Sequence, residues 1–294
     1  MTLGRVAALD PPREARSSAA ERELTGPRLI RLPTGPTGRR APWQNAVLRA
    51  LGPFAVLLLW TLATHTGFIR PQMLAPPEEV LRAVYDLVGT GVLFENLQAS
   101  LVRSFSGLIL GVGVGLALGL FTGLNRLGDQ LVDPVLQMLR TVPFLAIAPL
   151  LVLWFGIGED QKISMIAVAS CFPFYLNTHS GVRGADGKLL EAARVFGLSR
   201  AGIIRTIILP AAVPQMLVGL RQSLGISLIA LIVVEQTNAQ KGIGFLMLSA
   251  SQFFQSEILL VCVLLYALWG LAADVFVRAL ERVLMPWRHA RSKS

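Results

Sequence analysis

The stretch EAARVFGLSRAGIIRTIILP (Glu191–Pro210) is a polar, helix-forming segment in a chain that is otherwise largely apolar. Asp186 and Ser199 are residue types that cap helix N-termini, because their side-chain oxygens accept hydrogen bonds from unpaired backbone N–H groups. Gly197 separates the two predicted helices, at a point where a residue that tolerates positive φ is favoured. The second helix is predicted to stop near Pro210. The apolar face predicted for the first helix consists of Leu189, Leu190, Ala193 and Phe196.

The rest of the chain has the composition of a membrane protein. Of its 294 residues, 53% are hydrophobic and 15% are charged. The net charge of +9 comes from basic residues that flank apolar runs, so membrane orientation explains it and no nucleic-acid partner is expected. The two cysteines lie in apolar runs and the three histidines are scattered, so neither a disulfide framework nor a metal site is expected. These residues are Cys171, Cys262, His65, His179 and His289.

Six apolar runs predict an all-α, polytopic membrane protein with six transmembrane helices. The predicted spans are residues 51–69, 105–124, 136–158, 163–176, 215–234 and 258–277. Pro143 and Pro149 in the third span indicate either a pore-lining helix or a simple kink. Gly111, Gly115 and Gly119 form a stripe for close helix packing, within the chain or against a second copy.

The segments outside the spans set the domain boundaries and the orientation. Residues 1–44 are predicted to be a disordered basic tail, residues 45–288 a transmembrane domain and residues 289–294 a C-terminal tail. With the N-terminus inside, Lys and Arg on the inner side outnumber those on the outer side by twenty to four. Both termini and the polar loop (residues 183–210) are therefore predicted to be cytoplasmic. Residues 76–79, Pro-Pro-Glu-Glu, predict the start of an amphipathic helix that lies on the membrane or packs on the bundle.

The sequence contains no catalytic constellation. It lacks a GxxxxGK[ST] phosphate-binding loop and any Ser-His-Asp pattern, so no catalytic residue, metal or chain-bound cofactor is expected. Carriers driven by protons or sodium need ionisable groups deep in their bundle, and none stands in the middle of a predicted span. Asp274 and Arg278 have the spacing of an ion pair. Glu235, at the end of the fifth span, indicates either an outer gate or a solvated span end.

Several motifs resemble those of a transporter family. The order Glu191-Ala192-Ala193, Gly197 and Ile207-x-Leu209-Pro210 resembles the EAA loop of ABC-transporter permease subunits of binding-protein-dependent importers. The segments LQMLRTVPFLAIAPLLVLWFGIGE and ILPAAVPQMLVGLRQSLG resemble the nitrate/sulfonate/taurine branch of these permeases. The part from Val233 to Arg288 is most similar to alkanesulfonate permeases.

The resemblance implies an inner-membrane permease that works as a homodimer in an ATP-driven importer. Two partner subunits would carry ATP and Mg²⁺ and dock on the polar loop, and an extracytoplasmic binding protein would deliver an aliphatic sulfonate. Taurine, nitrate or another small anion is the alternative substrate. The residues expected to couple ATP hydrolysis to transport are Glu191, Ala192, Ala193, Gly197, Ile207, Leu209 and Pro210.

Three charged residues are candidates for the substrate path. Arg140 and Arg221 offer positive charge to an anion, with snorkelling or ion pairing as the alternative, and Glu235 is the third candidate. Two rival classes are a membrane enzyme, which needs a catalytic constellation, and a membrane scaffold, which does not need the EAA residues in register.

Overall fold

A computed structural model describes residues 42–70 and 73–285, with side chains from residue 51 onward. The chain divides into two units, residues 1–56 and 57–294. Every regular element in the described residues is helical, which confirms the all-α class. The predicted C-terminal tail lies outside the described residues, and of the predicted N-terminal tail only residues 42–44 are described, as part of a helix.

The helices of the described residues follow one another along the chain. They are α1 (Pro42–His65), α2 (Pro77–Gly89), α3 (Val92–Leu124), α4 (Arg126–Leu131), α5 (Asp133–Leu139), α6 (Ala148–Phe155), α7 (Glu159–Arg183), α8 (Gly187–Val195), α9 (Arg200–Ile203), α10 (Leu209–Asn238), α11 (Ile243–Gln252) and α12 (Ser256–Leu284). A 3₁₀-helix (Phe144–Ile147) precedes α6, and a π-helical segment (Ile204–Ile208) joins α9 to α10.

Three helices in the described residues are long and apolar enough to cross a membrane: α3, α12 and the helix that runs from Arg200 to Asn238. A bent pair, residues 126–139 and 144–155, is a fourth candidate. The fourth predicted span lies in α7, whose 25 residues exceed the roughly 20 needed for a crossing but include many polar side chains. The count of six spans stays a prediction.

The predicted third span, residues 136–158, is not one straight helix. It contains a break, and the helical segments on either side of that break, residues 126–139 and 144–155, meet at an angle of 90°. Pro143 lies at the break with an extended backbone, φ −56° and ψ 124°, because proline lacks an N–H group and disfavours helical geometry in the residue before it. Pro149 falls in the first turn of α6, where its missing donor costs nothing. The two prolines therefore correctly indicated a departure from a straight helix, but they did not indicate the size of the bend angle.

The glycine stripe of α3 packs against α7 of the same chain. A Cβ added at Gly111 would lie 2.4 Å from the carbonyl oxygen of Ala167, and one at Gly119 would lie 2.6 Å from the Cβ of Thr178. A methyl group at Gly113, which faces another direction, would meet no atom within 4 Å. The stripe thus brings two backbones into contact, and of the two predicted alternatives the packing within the chain is the one observed.

The second helix of the polar loop does not stop near Pro210, so that prediction is wrong. One continuous helix of 39 residues runs from Arg200 to Asn238, which corresponds to roughly 60 Å at 1.5 Å per residue. A proline ring clashes with the carbonyl four residues earlier in a regular α-helix. Here the chain widens to π-helical geometry just before Pro210, and the N–H of Leu209 bonds to Ile204 O, five residues back.

Helix α2 begins at Pro77, as predicted, and packs on the bundle. Its buried side chains Val80, Ala83 and Leu87 form a cluster with Val261 of α12. Its other apolar side chains are not all covered, since Leu81 is 70% exposed and Val88 59% exposed.

Candidate functional site

Side-chain caps fix the two short helices of the polar loop. Asp186 Oδ1 accepts a hydrogen bond of 2.9 Å from Lys188 N at the start of α8. Ser199 Oγ accepts one of 3.2 Å from Gly202 N at the start of α9. Both predicted caps are confirmed, and each satisfies a donor that the first turn of a helix leaves unpaired.

The turn between these helices requires glycine. Gly197 has φ +77°, and its N–H bonds to Arg194 O at 3.0 Å. The N–H of Leu198 bonds to Ala193 O, also at 3.0 Å. These two bonds form a Schellman motif, in which a left-handed residue closes the helix end. The joint between α8 and α9 is therefore a defined turn and not a flexible link.

Apolar side chains stand exposed at the tip of the polar loop. Val195 is 85% exposed and Phe196 is 83% exposed. Phe196 was predicted on one apolar face with Ala193. It is the C-cap residue, where the chain leaves the helix and helical spacing no longer fixes the direction of the side chain. Leu189, also predicted on that face, is 56% exposed, whereas Ala193 is buried. Exposed apolar groups held on a stiff turn indicate a surface for a partner.

The polar loop is attached to the ends of α3 and α7. Arg200 donates from Nη2 to Leu124 O at 3.3 Å, across the C-terminus of α3. A cavity of about 550 Å³ lies behind the loop, lined by Leu190, Leu198 and Ile203 of the loop and by Val182 of α7. Residues of α3, α7, α8 and α9 thus line this cavity.

The predicted coupling residues occupy two parts of this structure. Glu191 and Ala192 are exposed on α8, whereas Ala193 is buried against the bundle. The other group, Ile207, Leu209 and Pro210, is half-buried and belongs to the long helix. The motif therefore combines an exposed surface with the first turns of a membrane helix.

The arginine of the fifth predicted span is ion-paired. Arg221 Nε lies 3.3 Å from Asp274 Oδ1, and its Nη2 lies 3.0 Å from Glu281 Oε1, both on α12. Pairing, one of the predicted alternatives for this residue, is confirmed. The predicted pair of Asp274 and Arg278 is confirmed as well, with Arg278 Nη2 at 2.6 Å from Asp274 Oδ2.

The other two substrate-path candidates lie in contrasting places. Arg140 is exposed and lines a mostly apolar cavity of about 550 Å³. Glu235 has no exposed surface at all, so the interpretation as a solvated span end is wrong. The structure brings neither residue next to Arg221, and the assignment of all three to the path stays a prediction.

Glu235 belongs to a charge cluster that joins three helices, the Arg103 network (Arg103, Glu159, Lys162 and Glu235). The Glu159 side chain is 55% exposed and the other three are buried. Arg103 Nη1 donates to Glu235 Oε1 at 2.9 Å, and its Nε and Nη2 donate to both oxygens of Glu159 at 2.5 and 2.8 Å. Lys162 Nζ lies 3.0 Å from Glu159 Oε1. Two cations and two anions make the cluster neutral, which is the condition under which buried charge is tolerated.

The same network caps α11. The N–H of Gly244 donates to Glu235 Oε2 at 2.8 Å, and the N–H of Ile243 donates to Ser100 Oγ, also at 2.8 Å. Asn96 Oδ1 accepts from the N–H of Gly242 at 2.7 Å. Donors at the N-terminus of α11 are thus satisfied by side chains of α3 and α10, and a carboxylate faces the positive end of its dipole.

Sequence reasoning missed the Arg103 network. Its members come from three places along the chain that are far apart in the sequence, on α3, α7 and α10. Two features of the sequence could have indicated the network. Arg103 and Glu235 carry opposite charges and each borders an apolar run, and the segment Gly242-Ile243-Gly244 contains two glycines. A methyl group on Gly242 would lie 2.4 Å from the Glu235 carboxyl group, so the close approach of this backbone requires glycine.

One more polar group contains a histidine that the sequence left without a role. His179 Nε2 lies 3.5 Å from Asp129 Oδ1, and Asp133 completes a set of three residues with metal-ligand side chains. Arg183 forms an ion pair with Asp129, and Tyr175 donates to Asp133. Protein partners therefore already bind these oxygens. The group ties α7 to the short helices α4 and α5.

Known proteins share the sequence of the helical bundle and of the polar loop. Residues 111–285 match the family described as the binding-protein-dependent transport system inner membrane component. This match covers more than half of the chain. The chain belongs to this family. It is a permease component of ABC importers.

Individual relatives match over most of their length. A putative aliphatic sulfonates transport permease of Bacillus subtilis is 38% identical over 87% of this chain and 91% of its own. The putative aliphatic sulfonates permease of Escherichia coli is 41% identical over 86% and 93%, respectively. The taurine transport system permease of Escherichia coli is 35% identical over 84% and 92%. A solved inward-facing MetNI methionine ABC transporter covers 64% of this chain and 95% of its own, with a TM-score of 0.49 and 20% identity.

Proposed function

We propose that this permease carries aliphatic sulfonates across the inner membrane, driven by ATPase subunits that dock on the polar loop. The observation that supports this function most directly is the exposed apolar tip at Val195 and Phe196, held by the Gly197 turn. Such groups are unfavourable in water unless a partner covers them. The residues proposed to transmit the contact are Glu191, Ala192, Ala193, Gly197, Ile207, Leu209 and Pro210.

The continuity of the long helix explains how movement of the polar loop would be transmitted to the membrane-spanning part. A movement imposed on α9 reaches α10 without a break, because the helix runs from Arg200 to Asn238. The Arg103 network holds the far end of α10 to α3 and α7. Closure of two nucleotide-binding subunits would thus tilt whole helices and alternate the opening between the two sides of the membrane.

The assembly completes the proposal. Two copies of this chain form the translocation unit, and two ATP-binding subunits hold ATP and Mg²⁺, since no residue of this chain is proposed to bind a cofactor. A binding protein delivers the substrate from the extracytoplasmic side. Both termini and the polar loop face the cytoplasm, in accordance with the excess of Lys and Arg on that side.

The substrate class is carried over from the relatives. Relatives named for aliphatic sulfonates reach 38% and 41% identity, whereas the one named for taurine reaches 35%. An alkanesulfonate is therefore favoured, and taurine or nitrate is the second candidate.

Uptake of labelled alkanesulfonate tests the substrate. Cells would express this chain with its ATPase and binding protein, with taurine and nitrate offered in parallel and an ATPase-dead variant as the control. ATP-dependent uptake that favours the alkanesulfonate supports the proposal. Preference for taurine or nitrate would keep the transport mechanism and refute the substrate.

Substitution of the Gly197 turn tests the coupling. Gly197→Val places a β-branched side chain at φ +77°, where even an unbranched residue is strained by about 1–2 kcal/mol. We expect substrate-stimulated ATP hydrolysis and uptake to become uncoupled. Gly187→Val, in the same loop but with open space around it, is the matched control and should stay coupled. Normal coupling in the Gly197 variant would exclude a role for this turn.

A further inference from the structure

The cavity beside Arg140 combines a cation with an apolar wall. Its volume is about 550 Å³, and among the described residues the polar side chains that line it are those of Arg140 and Gln222. Phe144, Phe172 and Ile226 are among the apolar residues of the wall. Charged residues at membrane depth that face a cavity are typical of a substrate path.

Arg140 differs from Arg103 and Arg221, two other arginines at the ends of predicted spans. Within the described residues no carboxylate lies within ion-pair distance of Arg140, whereas Arg103 and Arg221 each contact two. A guanidinium group is weakly hydrated and matches the oxygens of an oxyanion with parallel donors. Arg140 is thus available to an anion from the cavity.

A chain of amide groups orients Gln222 as a donor. Gln215 Nε2 donates to Asn177 Oδ1 at 2.8 Å, and Asn177 Nδ2 donates to Gln222 Oε1 at 2.9 Å. The carbonyl oxygen of Gln222 is therefore occupied. No acceptor in the described part of the chain takes a hydrogen bond from its Nε2, so the two N–H donors of this side chain are free.

The apolar part of the cavity extends away from Gln222. The hydrogen bond between Asn177 and Gln222 shows where α7 and α10 lie side by side. Val168, nine residues before Asn177, and Ile229, seven residues after Gln222, also line the cavity. At 1.5 Å per residue, the apolar part is about 10–13 Å long.

We propose that this cavity holds the transported anion, with the sulfonate oxygens on Arg140 and Gln222 and the alkyl chain along Phe172, Ile226 and Ile229. This inference rests on the proposed sulfonate transport and adds a recognition site for the chain. Nitrate has no chain to fill the apolar part. Taurine would bring an ammonium group into it, and burying an unpaired charge is costly.

The test varies the length of the substrate. The complete transporter, with its ATPase and binding protein, would be reconstituted in proteoliposomes, and uptake of methanesulfonate and octanesulfonate would be compared. Ile229→Trp fills the far end of the cavity. Each methylene that can no longer be buried lowers uptake roughly fourfold, so octanesulfonate uptake should fall tenfold or more, with methanesulfonate uptake within about twofold of the original protein. Leu271→Trp, an exposed position on α12, is the control and should change neither.

A charge variant tests the other end. Arg140→Gln should lower uptake of both sulfonates alike, by about tenfold or more, because the charge acts on the shared head group. Arg278→Gln, which removes an exposed arginine outside the cavity, should leave uptake unchanged.

Each contrary result has a distinct meaning. An equal loss of both substrates in Ile229→Trp, with the assembly intact, would refute chain recognition while sulfonate transport stands. Loss of the permease dimer in that variant would show that the cavity is an interface between copies. If the original protein transports neither sulfonate, the proposed function fails, and this site fails with it.

Discussion

Replacement of Gly111 by alanine tests the backbone contact between α3 and α7. The new methyl group would lie 2.4 Å from Ala167 O and 2.2 Å from Ser170 Oγ. An ordinary contact of this kind begins at 3.4 Å, so the two helices must separate by about 1 Å at this point. Ser170 can rotate away, but the carbonyl of Ala167 is part of the helix and cannot.

The expected destabilisation has two contributions. Overpacking of a well-packed contact costs about 1–3 kcal/mol. Rotation of Ser170 also breaks its 2.9 Å hydrogen bond to Ile166 O, which adds about 1 kcal/mol. The free energy of unfolding should therefore fall by about 2–4 kcal/mol. Gly113→Ala is the matched control, because its methyl group meets no atom within 4 Å and alanine favours the helix by up to about 1 kcal/mol.

The free energy of unfolding of both variants is measured by adding SDS to the purified protein in mixed micelles. The comparison cancels any effect of alanine on the helix itself, since both positions lie in α3. If the two variants unfold within about 0.5 kcal/mol of each other, a spread typical of neutral surface substitutions, the stripe does not hold the helices together and the reasoning is refuted.

Two further predictions contrast a buried charge with an exposed one. Glu235→Ala leaves Arg103 without one of its two carboxylates and removes a cap of α11. We therefore expect the free energy of unfolding to fall by about 3–5 kcal/mol, with faster trypsin cleavage after Lys241. Unchanged unfolding would show that the Arg103 network does not stabilise the fold. Arg221→Gln removes two ion pairs in which the arginine is 45% exposed, so the loss should stay below about 2 kcal/mol and uptake should persist. Abolished uptake would place Arg221 on the substrate path.

The polar loop could be predicted almost completely from the sequence. Its caps at Asp186 and Ser199 and its turn at Gly197 are determined by neighbouring residues, and the structure confirms all three. The exposed position of Phe196 could not be predicted, because helical spacing describes a regular helix and Phe196 lies where that helix ends. The continuation of the helix through Pro210 depends on a π-helical turn, for which the sequence has no simple pattern.

Long-range contacts were the part that the sequence did not reveal. The stripe at Gly111, Gly115 and Gly119 predicted close packing, but only the structure shows that α7 is the neighbour. Arg103 and Glu235 are 132 positions apart in the sequence, so their pairing depends on how α3 and α10 are arranged. The right-angle bend at Pro143 likewise depends on the packing of its two halves, since a proline alone indicates only a break.

The uninterrupted helix from Arg200 to Asn238 has a consequence for regulation. One of its ends carries the polar loop, and the other carries the carboxylate that binds Arg103 and caps α11. If ligands at the two ends each favour one tilt of this helix, each changes the affinity for the other by the same factor, because coupling free energies are reciprocal. A docked binding protein would then change the affinity of the permease for the ATPase by some factor. The bound ATPase would change the affinity for the binding protein by the same factor.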